Sequence, residues 1–427
     1  MSRLNDFSDV KRAFQIRDFA IFMVGRFVAH ITTWIYRMAL GWLIWEMTHS
    51  ATWLGIIGFV DHVPSIIVAP IAGAWSDRAD RLKVLRFTQL NQVVQAIALS
   101  ALILFDQQTI ELLVLLAFYH GLIQGAQSPA MHSVVPNLVP RDLLTTAFGL
   151  NSISFNISRF IGPPIGAMIM VHLGGPGSAI LCHAFGAGLF TLSLMMIRVS
   201  MKAPSDSRRD RNLLRDIRDS VRYATRHKGI GPLMLIMLML GALTFSIVEM
   251  LPGFAGGVFN EGADGYSWML SAMGVGAIIQ GALLAQRGTI IGLTRYFNIH
   301  IAIVSLAYLA LTATETFWVG LGAILVVGYA QSATRVGPLT LLQNAVEAEM
   351  RGRISSFWTV IYQSSPAVGA MIIGVLSDHF GIRETFTGIA ILNFFVFLWV
   401  LKKRPQMEAA LEYNSPTETT EAAKPAP

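Results

Sequence analysis

The sequence has a single cysteine, Cys182, in 427 residues. One thiol excludes an internal disulfide and a cysteine-rich metal site. Charge is also scarce: Asp, Glu, Lys and Arg make up 14% of the chain, against about 25% in soluble globular proteins. No P-loop sequence is present, so nucleotide hydrolysis through that motif is excluded. His120, His183 and His300 are scattered rather than grouped as ligands and read as hydrogen-bonded helix residues. No metal or cofactor is expected. Without a compact His/Asp/Glu constellation at a membrane face, a lipid-modifying enzyme is disfavoured, and no enzymatic activity is expected. The charged head, residues 1–18, runs into an apolar stretch too long for a signal peptide, with no small-residue cleavage pattern.

What the chain has instead is hydrophobic length. Apolar residues make up 53%, and the mean hydropathy is +0.54. Runs repeatedly reach the roughly 20 residues that cross a bilayer as a helix. The expected spans are 19–45, 51–76, 84–105, 110–131, 145–171 and 176–197, then 230–256, 266–286, 290–311, 316–341, 353–377 and 384–401. Inside hydrocarbon such segments must be helical, because open strands leave backbone groups unsatisfied. The expected fold is an all-α integral membrane protein of twelve transmembrane helices.

The net charge of +6 is not a nucleic-acid signal, because the basic residues sit in alternate connections without aromatic interleaving. One set of connections holds Arg3, Lys11, Arg12 and Arg17, then Arg78, Arg81, Lys83 and Arg86, then Arg141, Arg287, Arg295, Arg351 and Arg353. The same set holds ten Lys/Arg between Arg198 and Lys228 and ends with Lys402, Lys403 and Arg404. The other set (MTHS, DQQTIE, HLGGPG, FNEGADG, ATET, DHFGIRE) has only Arg383. By the positive-inside rule the basic set and both termini are cytoplasmic. The expected location is a membrane crossed many times, with the basic face cytoplasmic.

The long basic interval divides the chain. A cytoplasmic segment, 1–18, precedes a six-helix half, 19–197. A linker, 198–229, carries Leu214, Ile217, Val221 and Tyr223 at near-helical spacing, which predicts an amphipathic helix. The second half covers 230–404, and 405–427, rich in Pro, Ala, Thr and Glu, reads as a disordered cytoplasmic tail. The halves repeat at an offset of 207: Asn137 with Asn344, Ser158 with Ser365, Gly162 with Gly369, Gly121 with Gly328, Gln124 with Gln331.

After the second span stands GAWSDRADRLKVLR, with Gly73, Asp77, Arg78 and Arg81. With twelve spans and a cytoplasmic joint, this motif resembles the major facilitator superfamily. RDFAIFMVGRFVAHITTWIYRMALGWLIWEMTHS and NAVEAEMRGRISSF resemble its enterobactin-exporter-like and macrolide-efflux-like branch. The resemblance implies two pseudo-symmetric halves around a central cavity, and a secondary transporter that alternates access. It makes Gly73, Asp77, Arg78 and Arg81 a conformational gate on the cytoplasmic side. There Asp77 accepts from helix-terminal N–H groups or an arginine across the seam between halves. In the second half Ala285 replaces the counterpart of Asp77. Gly162-Pro163-Pro164 is loosely like an exporter motif, although Arg159 beside it is unusual.

Charges inside the spans are few. Arg26, His30, Thr33 and Arg37 form one stripe on the first helix. Asp61 and His62 lie on the second, Arg159 on the fifth, Glu249 on the seventh and Arg335 on the tenth. Each would cost about 2.5–3.5 kcal/mol unpaired at mid-bilayer, so they should face a cavity or one another. His30, Arg37, Asp61, Arg159 and Glu249 are the expected charge network. Asp61, Glu249 and His30 are the candidates for proton coupling. Asp61 could pair with His30 or Arg37, and Glu249 with Arg37. Arg26, Trp34 and Arg335 are substrate-cavity candidates, with lipid-facing snorkelling the alternative for Arg335. Trp42, Trp45 and Trp53 suit an aromatic belt at the outer boundary.

The expected function is proton-coupled export of an amphipathic organic molecule such as a siderophore or drug-like compound. Three arginines against two acids favour an anion, whereas export is implied by the resemblance. Import of a small metabolite or metal chelate is the alternative, and conduction without saturable exchange would mark a passive channel. Partners are the small organic substrate, protons and membrane lipids, with no nucleic acid. A monomer is compatible with such a cycle.

Overall fold

The structure is a computed structural model that describes residues 7–76, 80–198, 213–287, 289–347 and 350–412. Among these residues there is no strand. A short helix, α1 (Phe7–Gln15), leads into α2 (Arg17–Thr48), α3 (Ala51–Ser76), α4 (Arg81–Leu104), α5 (Ile110–Leu138), α6 (Leu144–His172) and α7 (Gly175–Met196). Then come α8 (Leu213–Arg226), α9 (Ile230–Leu240) and α10 (Ile247–Gly253), followed by α11 (Ala263–Arg287), α12 (Leu293–Ala313), α13 (Phe317–Ala345), α14 (Arg351–Phe380) and α15 (Ile382–Leu411). The seventh span is α9 and α10 joined through wide π turns at Gly241–Phe245 and Phe254–Val258.

Local chemistry sets the breaks. Asp80 caps α4 by accepting from the Leu82 N–H at 3.0 Å, and Thr109 caps α5 through Leu112 N–H. Gly381 alone connects α14 to α15 at φ +98°, a left-handed conformation that favours glycine.

Eleven described helices are long and apolar enough to cross a membrane, where twelve were expected. The difference is α6. It has 29 residues, but Asn151, Ser154, Asn156, Ser158, Arg159 and two prolines dilute its apolar character. A second correction concerns the tail expected from 405. Helix α15 continues through Pro405 to Leu411, with Met407 and Leu411 fully buried. Glu412 then accepts from the Gly292 and Thr294 N–H groups at the start of α12. Helix α8 occupies the stretch where an amphipathic linker helix was predicted.

Helix pairing repeats between the halves, as the 207-residue offset implied. A Cβ on Gly121 of α5 would lie 2.5 Å from the Asp61 carbonyl on α3, and its mate Gly328 on α13 is as tight against Met273 on α11. Gly162 of α6 meets Ile31 on α2, and its mate Gly369 on α14 meets Ala242 of the seventh span. Small residues at these crossings let backbones touch, which is how helices associate without a water-driven force.

The apolar core has three parts. One cluster mixes the halves, joining Ile44, Trp45 and Leu54 to Leu251, Phe254, Leu270 and Ile373. A second, including Phe297 and Trp358, holds residues of the later half alone, with α8. The third, including Phe22 and Phe190, holds residues of the earlier half and α1. The last two lie toward the end that carries the basic connections. The halves therefore share a core at one end and have separate cores at the basic end. Along α6 and α11, Gly274 packs against Phe160, but toward the basic end Gly149 and Gly281 have nothing within 4 Å among the described residues. Among the described residues the halves pack together at the far end and stand apart toward the basic end.

Candidate functional site: a charged cavity between the halves

At mid-depth, α2, α3, α10 and α11 enclose a small cavity lined by Trp34, Arg37, Gly58, Asp61, Glu249 and Tyr266, among others. Its free space is about 40 Å³, enough for about two waters. The walls come from both halves, so a change in their spacing changes this cavity directly.

Asp61 is its hub. The Arg37 guanidinium lies 3.7 Å from Oδ2. Arg37 also donates to His62 Nε2 at 2.9 Å, which makes that nitrogen an acceptor, and His62 Nδ1 donates to the Gly58 carbonyl at 2.9 Å. The shortest contact of Asp61 is with His120 on α5, whose Nδ1 is 2.6 Å from Oδ1. The His120 ring touches Tyr36, which in turn touches His183. Gln95 donates to the Tyr36 hydroxyl, while Gln92 and Thr32 hold His183.

Of the two pairings open to Asp61, the structure has Arg37. His30 sits elsewhere, with Nδ1 3.4 Å from Ser154 Oγ and its ring edge-on to Phe155. Glu249 lies on the short α10 between the two π turns, a wider coil that recurs at functional sites. It packs against α3 at Gly58, where an added Cβ would lie 3.0 Å from Glu249 Cγ. Among the described residues no cation lies within ion-pair distance of Glu249.

A second group lies toward the open end. Arg159 is stacked over Trp34 at 5.4 Å, and Arg37 approaches the same ring at 5.8 Å. Arg335 lies over Phe245 at 4.2 Å and donates to the Tyr362 hydroxyl at 3.1 Å. It therefore faces protein rather than lipid. Arg159 is on α6 and Arg335 on α13, in opposite halves. Neither has a carboxylate partner among the described residues. Arg26 is stacked over Phe190 at 5.7 Å.

The expected gate is only partly within view. Gly73 is in the last turn of α3 and Arg81 begins α4; Asp77 and Arg78 lie outside the described residues. Two neighbours of the motif are structural. Asp80 caps α4, and Arg86 donates to the Leu194 and Ile197 carbonyls at the end of α7.

Sequence reasoning missed His120. The available signal was Gly121 and Gly125 on α5, a small-xxx-small pair that seats this helix on α3 at Asp61 and Ser65. It also missed Asp378, on α14. Its carboxylate accepts from the Ala51 N–H at 2.7 Å, the Thr52 N–H at 3.0 Å and the Ser50 hydroxyl, capping α3 in the opposite half.

The fold is a helical membrane bundle with a charged cavity between two repeated halves. A family model described as transmembrane secretion effector matches residues 12–424, and the chain belongs to this family of the major facilitator superfamily, whose members are transporters and not enzymes. It is 24% identical to the staphyloferrin A transporter of Staphylococcus aureus, over 86% of this chain and 91% of the relative. It is 21% identical to macrolide efflux protein A of Streptococcus pyogenes (85% and 90%). It is 23% identical to the enterobactin exporter of Shigella boydii (84% and 84%). A bacterial homologue of the human lysosomal transporter Spinster, inward-facing and occupied, shares the fold with a TM-score of 0.74 at 11% identity, covering 95% of this chain and 99% of that one.

Proposed function

We propose that this secondary transporter exports an amphipathic organic anion across the bacterial cytoplasmic membrane in exchange for protons. The observation that carries the substrate class is the pair Arg159 and Arg335. Two guanidiniums from opposite halves lie on aromatic rings, Arg159 on the cavity-lining Trp34 and Arg335 on Phe245, with no carboxylate partner among the described residues. Guanidinium binds carboxylate-like anions through a planar fork, and the rings offer an apolar surface for the rest of the molecule. An anion held by both arginines removes their mutual repulsion and lets the halves approach.

Asp61 and Glu249 are the proton-coupling acids in this reading, with His30 as a third candidate. Charge asymmetry puts the basic end and both termini in the cytoplasm, so the opening is inward-facing. Residues 19–197 and 230–404 are the moving halves, and Gly73, Asp77, Arg78 and Arg81 re-form the cytoplasmic seam when that side closes. Export is supported by the relatives named for efflux and export.

The test is flux in vesicles of known orientation under an imposed pH gradient, with citrate, dihydroxybenzoate and erythromycin as probes. The proposal expects saturable, gradient-dependent movement of an anionic probe from the basic-end face to the opposite face. Accumulation the other way would establish import. Movement indifferent to the pH gradient would remove proton coupling.

A further inference from the structure

We propose that the transported proton is shared by Asp61 and His120, which makes His120 a proton-binding residue of the transport cycle. The inference rests on the reading of Asp61 as a coupling acid, and extends it to a residue on a different helix.

Geometry favours the pair over the carboxylate alone. The 2.6 Å separation of Asp61 Oδ1 and His120 Nδ1 requires a hydrogen between them. Arg37 stands further off, at 3.7 Å, with its Nη2 engaged by His62. The other imidazole nitrogen, His120 Nε2, is buried and has no hydrogen-bond partner among the described residues. The His120 side chain is 2% exposed. Buried side-chain nitrogens are ordinarily satisfied, so a free Nε2 on a ring whose Nδ1 is bonded to a carboxylate is a basic site held in reserve.

The groups that face the pair are few. From α3 come Asp61 itself and His62, whose Nδ1 donates to Gly58 and lies 3.6 Å from Asp61 Oδ2 while its Nε2 accepts from Arg37. From α2 come Tyr36 and Arg37, from α4 Gln95 through Tyr36, and from α7 His183 through the same ring. Arg37 is the permanent cation among them.

The proton balance is simple. Without the transported proton the unit is carboxylate with neutral imidazole, and Arg37 is the counter-ion. With it, Nε2 carries the added hydrogen and the unit is carboxylate with imidazolium. The imidazolium then takes over as counter-ion, and Arg37 is released into the cavity it shares with Glu249 of the other half. A proton buried on α3 and α5 thereby alters the charge at the seam between the halves.

The test counts protons taken up by the full chain, reconstituted in liposomes, after an acid pH jump read by a buffer-calibrated dye. His120→Asn keeps a donor toward Asp61 but cannot take a second proton, and His120→Gln is the alternative if the first elutes poorly. The inference expects wild type to take up one proton more than His120→Asn, Asp61→Asn or the double variant, all three losing the same one. If His120→Asn and His120→Gln take up as many protons as wild type while Asp61→Asn loses one, the shared proton is refuted and the coupling acid survives. If Asp61→Asn also matches wild type, the reading of Asp61 itself fails.

Discussion

Removing the Asp378 carboxylate should shift the transporter toward the state open at the end away from the basic connections. This side chain on α14 caps the first turn of α3 across the seam, with two backbone N–H groups and a serine hydroxyl donating to it. The cap exists only while that end is closed. Replacing a capping carboxylate by alanine costs about 1 kcal/mol at an accessible site, and up to about 2 when enclosed. Asp378 is exposed, so the lower figure applies, and about 1 kcal/mol is roughly a fivefold change in a two-state ratio. The assay is the labelling rate of Leu54→Cys in a Cys182→Ser background. Leu54 is buried in the cavity wall at this end, so a membrane-impermeant maleimide reaches it only when the end opens. Asp378→Ala should raise the rate about fivefold, whereas Asp378→Asn, which still caps, should change it much less. An unchanged rate in a protein of unaltered thermal stability would refute the latch.

Other substitutions separate the remaining roles. Asp77→Ala should slow transport without impairing insertion and Asp77→Glu should retain some activity, measured as flux per inserted protein. Arg159→Gln and Arg335→Gln should each weaken binding of an anionic probe at least tenfold by removing a charged hydrogen bond worth about 1.5–3 kcal/mol, while Lys at either site should restore part of it; calorimetry in detergent reads this. Gly121→Val drives a side chain into the Asp61 carbonyl and should destabilise the fold by about 1–3 kcal/mol, seen as a lower thermal midpoint.

Most of the architecture was legible because lipid imposes a single rule on long apolar runs. The runs placed the spans, the basic residues separated one end from the other, and Gly121/Gly328 and Gly162/Gly369 disclosed the repeat before any contact was known. The same rule explains the shortfall at α6. A helix that carries polar residues at packed positions, as α6 does with Ser154 and Ser158, loses the hydropathy by which spans are recognised. The site was legible as an inventory, Arg37, Asp61, Arg159, Glu249 and Arg335, because charges are rare in this chain. Their partners were not. Depth along a helix made His30 and Arg37 equal choices for Asp61, and only the rotation of α2 decides between them. His120 looked like one of several scattered histidines until α5 was seated on α3. Asp378 lay in a connection that topology alone seemed to explain, and its role depends on a helix end more than 300 positions away. The continuation of α15 past Pro405 was hidden by composition, since the burial of Met407 and Leu411 comes from packing by other segments.

Alternating access is tested most directly by paired distances in one reconstituted sample, with spin labels on α6 and α11 at Gly149 and Gly281, and a second pair on α3 and α14 near Thr52 and Asp378. Changing pH across the membrane should lengthen one distance as it shortens the other. Two distances that rise together, or neither changing while flux proceeds, would contradict the account.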